Sequence, residues 1–229
     1  MCMGKIANHP DTSAMPFSYV IGNGKDTYIV PGRNLATVGT YRDINKWPKR
    51  DIRPKDCRHS ILDTSWLNAY SVGKMIKAKF ELERMLDKQG RRDIYECADG
   101  CLIKKTSLHK GISLYSMAIK MFLAGFLNAD NVESDNATTA YSEDKYAIDL
   151  SGLLISQQDV LNIVEAIQNG DIDNIADLKE ALDKAATLKE ENERCLAANI
   201  ADRLYGWQSL DHEDRLDFID SCRQARLLW

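Results

Sequence analysis

The densest run of side chains able to do chemistry is Arg42-Asp-Ile-Asn-Lys-Trp-Pro-Lys-Arg-Asp-Ile-Arg-Pro-Lys55. Six cations surround Trp47 there. Guanidinium forks and ammonium charges suit phosphate or carboxylate oxygens, and an indole offers a stacking face. A helix starting at Leu35 puts Arg42 and Lys46 four residues apart, on one side. Lys49 and Arg50 follow just past Pro48, which stops that helix. The expected anion-binding residues are therefore Arg42, Lys46, Lys49, Arg50 and Arg53. Asp43, Asp51 and Asp56 lie among them, and internal ion pairs would give the same composition. Nucleic acid is disfavoured as the partner, because the whole chain carries a formal charge of −4 and no nucleic-acid motif accompanies the patch.

Other reactive residues are isolated. His9, in the irregular stretch Ala7-Asn-His-Pro10, is a weak candidate for a catalytic base, and it needs a hydrogen-bonded partner to act as one. Cys97 and Cys101 are the one close cysteine pair. No C-x-x-C occurs and only His109 follows nearby, so they read as small buried strand residues. No metal or cofactor is expected. The chain lacks G-x-G-x-x-G, a complete P-loop, H-E-x-x-H and G-x-S-x-G. Gly22-Asn-Gly-Lys25 has the look of a P-loop end, but Asp26 follows where Ser or Thr is required, and a hairpin turn fits better.

The elements that must position these residues change character along the chain. All five prolines lie within residues 1–54. Two short strands are expected, at Pro16–Ile21 and Thr27–Val30, then a helix over Leu35–Trp47. From Ser60 the spacing of Leu62, Trp66, Ala69, Gly73, Ile76 and Phe80 predicts a helix ending at Gln89-Gly90. A hairpin follows, Ile94–Ala98 and Cys101–Lys105 around Asp99-Gly100. Leu108, Ile112, Tyr115, Ile119, Phe122 and Phe126 then form the clearest helical stripe.

Residues 129–146 are polar and read as a linker or lid. Beyond them Ser156 caps a helix with Val160, Leu161, Val164 and Ile167 as its apolar face, ended by Asn169-Gly170. Asp173 caps another, running through Leu178 and Leu182 toward Leu196, Ile200 and Leu204. A last helix carries Leu216, Ile219 and Cys222, with the terminus Leu227-Leu228-Trp229 docked. The expected fold class is mainly α: a helical bundle with an irregular β-containing N-terminal segment and one short β-hairpin. Its expected parts are a basic segment over 1–57, a helix-hairpin-helix unit over 58–129 and an acidic helical unit over 147–229. The alternative division joins the last two in one domain.

Charge supports that division. Residues 1–129 hold 21 Lys+Arg against 12 Asp+Glu, and residues 130–229 hold 9 against 22. Mean hydropathy is −0.38, and the most apolar stretch, 112–127, is broken by Lys120 and too short to span a bilayer. With no secretory signal at the start, a cytoplasmic location and no membrane partner are expected.

Met15-Pro-Phe-Ser-Tyr-Val20, Val30-Pro-Gly32, Arg42-Asp, Lys46-Trp and Arg50-Asp51 together resemble a stretch of certain bacterial proteins. It is similar to the C-terminal region of hexapeptide-repeat, left-handed β-helix transferase-like proteins, over roughly residues 5–85. This chain contains no run of hexapeptide repeats, so the resemblance implies an accessory or interaction domain apart from the catalytic β-helix. Self-association or a β-helix partner is expected through residues 1–57, whose few apolar residues make no core of their own. The alternative is a transferase acting on a phosphorylated or nucleotide-linked small molecule held by the basic segment.

Overall fold

Tyr19–Asn23 (β2) and Asp26–Val30 (β3) pair antiparallel across the two-residue loop Gly24-Lys25. Gly24 has φ +66°, the left-handed conformation such hairpin turns require. The computed structural model describes residues 1–54, 65–97, 99–128 and 147–228. Cys2–Met3 (β1) adds in parallel to β2, and β3 pairs in parallel with Leu102–Lys104 (β5). Ile94–Glu96 (β4) closes the five-stranded sheet, in the order β1-β2-β3-β5-β4. The hairpin expected around Asp99-Gly100 is thus real, and it completes the N-terminal sheet.

The expected helix over Leu35–Trp47 is split. Arg33–Ala36 forms a 3-10 turn, Val38–Lys46 is α1, and Trp47–Arg50 is a second 3-10 turn that absorbs Pro48. The helix expected from Ser60 begins at Ala69 and runs to Gln89 (α2), with Gly90 left-handed after it. Leu62 lies outside the described residues. Val72, Met75, Ile76 and Leu82 form the buried face of α2. Phe80, one turn beyond Ile76 at the edge of that face, is 48% exposed. Lys105–Leu123 is α3, with Leu108, Tyr115, Ile119 and Phe122 buried as the stripe predicts.

Ile148–Leu150 (β6) and Leu153–Ile155 (β7) form a third hairpin that the sequence pattern did not suggest. Ser151 and Gly152 both take positive φ in its turn, and Asp149 Oδ1 accepts from Gly152 N at 2.6 Å. Gln157–Asn169 (α4) starts on the predicted cap, Ser156 Oγ accepting from Asp159 N at 3.1 Å, and ends at left-handed Gly170. Ile175–Thr187 (α5) is capped by Asn174 and not by Asp173; Asn174 Oδ1 accepts from the N–H groups of Ala176 and Asp177. The stripe from 175 to 204 is not one rod. Leu188 interrupts it, and Lys189–Tyr205 is α6. His212–Leu228 is α7, burying Ile219, Cys222 and Ala225. Leu227 is exposed, contrary to the docked terminus expected, and Trp229 lies outside the described residues.

The chain is mainly α-helical, with a mixed N-terminal sheet and one separate hairpin. It divides into two compact units, one of Met1–Arg50, Ser71–Met121 and Cys222–Trp229, the other of Asp51–Tyr70 and Phe122–Ser221. In the first, Tyr115 is fully buried and its hydroxyl donates to Pro16 O at 2.8 Å, fastening the entry to β2 onto α3. In the second, Leu153, Ile155 and Ala185 anchor a small core, and the Glu193 carboxylate accepts from Ala69 N at 3.1 Å, at the first turn of α2. Among the described residues, no helix is long and apolar enough to cross a membrane.

Candidate functional site

The first unit carries an open cleft of about 770 Å³. One wall is the face of α2 that bears Lys74, Lys77, Glu81, Arg84 and Lys88, spaced three, four, three and four residues apart. That spacing stacks them in one row along the helix. The facing wall is Pro10–Met15, which includes a 3-10 turn over Thr12–Ala14. Met15, Ile29, Phe80 and Met85 supply the apolar lining, and Glu96, Cys97 and Asp99 close one end.

The N-terminal wall is held by polar contacts rather than by a core. Thr27 is fully buried, and its Oγ1 accepts from Ala7 N and Asn8 N at 3.0 Å each. Asn8 Nδ2 donates to Gly100 O at 2.7 Å and Asp99 O at 3.3 Å. Gly100 has φ +70°, and a Cβ there would stand 2.6 Å from Asn8 Nδ2, so a side chain at this turn would be strained and would displace the Asn8 amide. Asp11 Oδ1 accepts from Ser13 N at 2.9 Å. Hydrogen bonds from Ser13, with help from the Lys74 charge, hold the Asp11 carboxyl below its usual range. At the other end, Gln89 Nε2 donates to Glu96 O at 2.9 Å and Glu96 N to Gln89 Oε1 at 3.2 Å, clamping α2 to β4.

The rim is electrically balanced, with four bases (Lys74, Lys77, Arg84, Lys88) against four acids (Asp11, Glu81, Glu96, Asp99). Arg84 is committed to Glu81, its Nε lying 2.7 Å from Oε2. Such a rim creates little net field for a phosphate. Burial first, then the neighbouring Cys101, Asp99 and Glu81, push the Cys97 thiol up to about 12. Burial and Asp99 raise Cys101 as well. A protonated thiol is a weaker nucleophile than a thiolate, so these shifts lower the reactivity of both cysteines. Among the described residues, no three His, Cys, Asp or Glu side chains converge as a metal site.

The residues singled out in the sequence lie elsewhere. His9 is exposed and does not line the cleft. Arg42 Nε pairs with Asp43 Oδ1 at 3.1 Å, and Arg53 reaches both oxygens of Asp51 at 2.9 and 2.7 Å, so two of the five anion candidates have acid partners in their own segment. Lys46, Lys49 and Arg50 are exposed and make no ion pair among the described residues. Lys55 and the side chain of Trp47 lie outside what the structure describes. The sequence signal of the cleft is the polar row on α2, which the apolar spacing of that helix does not reveal.

A family model described as Domain of unknown function (DUF4954) matches residues 1–86. The matched stretch contains the N-terminal wall and α2 as far as Leu86, hence most of the cleft lining. The match carries no link to hexapeptide-repeat transferases. Neither the curated proteins nor the solved structures contain a match to this chain.

Proposed function

We propose that this chain is an accessory interaction module that receives a polypeptide segment of a partner protein in the cleft of its first unit. The observation that carries this reading is the cleft's lining. An apolar surface that includes the half-exposed Phe80 sits inside a rim with equal numbers of acids and bases. Apolar side chains gain by burial there, while rim charges select neighbours of either sign on the segment. A hexapeptide-repeat β-helix protein is the partner class suggested by the N-terminal sequence resemblance. The half-exposed Phe80 supports this reading, since aromatic anchors carry much of the energy of such contacts.

A photoreactive residue at position 80 tests this. It should crosslink in cells to one protein, and that protein, purified, should bind the full chain and lose about tenfold or more in affinity to Phe80→Asp. An adduct with no protein, or binding indifferent to Phe80→Asp, would overturn the proposal.

A second reading keeps the anion site, favoured by the three exposed cations Lys46, Lys49 and Arg50. It has the chain hold a phosphorylated or nucleotide-linked small molecule, as a transferase would. Titration with inorganic pyrophosphate should then perturb those three residues, and the perturbation should vanish in Lys46→Ala/Lys49→Ala/Arg50→Ala.

A further inference from the structure

Helix α4 buries only one edge. Val160 and Ile163 pack on Leu153, Ile155 and Ala185, with Leu182 and Ala186 beside them. The sequence pattern placed Leu161, Val164 and Ile167 on the buried face as well. They are instead 53%, 43% and 46% exposed. Residues three apart on a helix step back by about 60° each, so the three lie in one arc of about 120°. Single exposed aliphatic residues are ordinary, but a contiguous row on one helix marks a contact surface.

Charge says what fits that row. Residues 147–178 contain six acids (Asp149, Asp159, Glu165, Asp171, Asp173 and Asp177) and no Lys, Arg or His. Glu165, Asp171 and Asp173 are exposed on α4 or in the turn after it. A partner for this face must bring cations together with an apolar side chain. The chain presents such a surface itself. Residues 42–53 hold five bases against two acids, and Ile52, between Arg50 and Arg53, is 94% exposed. Lys46, Lys49 and Arg50 are the cations there with no ion pair among the described residues.

We infer that the occupant of the α4 face is a second copy of this chain, docked through its 46–53 turn. Ile52 meets the Leu161–Val164–Ile167 row, and Lys46, Lys49 and Arg50 face Glu165, Asp171 and Asp173. Opposite charge speeds the encounter and fixes the register, and the apolar contact holds it. Two such contacts made reciprocally close a dimer, and one made head to tail extends into a chain of copies. Three aliphatic side chains and one isoleucine cover well below the roughly 800 Å² per partner of a tight complex, so the association is weak and salt-sensitive. This contact uses neither wall of the cleft, and it stands or fails apart from the cleft reading.

Sedimentation velocity of the full chain, from about 5 to about 500 μM, tests it. At about 50 mM salt the mean mass should rise above the 25.9 kDa of one chain, and at about 500 mM salt it should return toward it. Leu161→Asp/Val164→Asp should hold the chain at one copy. Lys46→Glu/Lys49→Glu/Arg50→Glu should do so too, as should Glu165→Lys/Asp171→Lys/Asp173→Lys. Mixing the last two variants should restore association, since each then offers the charge the other lacks. All altered positions are exposed, and helical circular dichroism confirms that each variant folds; if one set unfolds, the other and its salt response carry the test. A wild-type mass of one chain at every concentration would overturn the inference, as would association that both charge-reversed variants keep.

Discussion

Thr27 has no access to solvent, yet its hydroxyl oxygen accepts from two successive backbone N–H groups of the segment that leads to the cleft. Thr27→Val keeps the shape and removes the acceptor, which leaves two donors without it. The expected loss is about 1–3 kcal/mol in urea unfolding, with Thr27→Ser losing less. Equal stability of Thr27→Val and wild type would contradict the tie described. Cys97 gives a second residue-level outcome. Its thiol stays protonated in the folded chain to about 12, whereas the usual value is 9.0. Below pH 9 both folded and unfolded forms hold the proton, and this group's stabilisation is fully present. Between about 9 and 12 only the unfolded chain ionises, so stability falls as pH rises through that window. Cys97→Ala should flatten that fall. In the folded chain at pH 8, exposed Cys2 and Cys195 should alkylate with iodoacetamide well before Cys97.

Elements whose boundaries rest on a single local residue were legible, and those set by packing were not. Ser156 and Gly170 mark both ends of α4, and Gly206 ends α6, because a cap satisfies backbone groups within its own few residues. Asn174 took the cap from Asp173 by one position, which composition alone does not resolve. The break at Leu188 involves no glycine or proline, so nothing in the residue types announces it. The β6–β7 hairpin has three-residue strands, too short for an alternating pattern to show. Close approach of elements is likewise invisible in sequence. Gly111 lets α3 lie against Pro31, and a Cβ there would stand 2.7 Å from Pro31 Cβ. Gly111→Ala should therefore cost about 1–3 kcal/mol in thermal or urea unfolding. Gly39→Ala in α1, where a Cβ meets nothing within 4 Å, should instead be neutral or stabilising by up to about 1 kcal/mol.

At the scale of the molecule, the mainly α class and the β-containing N-terminus follow from proline placement and the clear stripe on α3. The candidate site does not, because it arises where a polar row on α2 faces a segment far off in sequence, held there by Asn8, Thr27 and Gly100. The basic run at 42–53 was conspicuous by composition, yet two of its five cations already have acid partners beside them. Composition reports which charges are present and not how they are paired. A partner segment held in the cleft and one held on that basic run respond to different substitutions. Calorimetric titration of the crosslinked partner against three forms of the full chain decides between them: wild type, Phe80→Asp, and Lys46→Glu/Lys49→Glu/Arg50→Glu. Phe80→Asp should weaken binding about tenfold or more, while the triple variant should stay within about twofold of wild type. Loss confined to the triple variant, with Phe80→Asp binding as wild type, would contradict binding in the cleft.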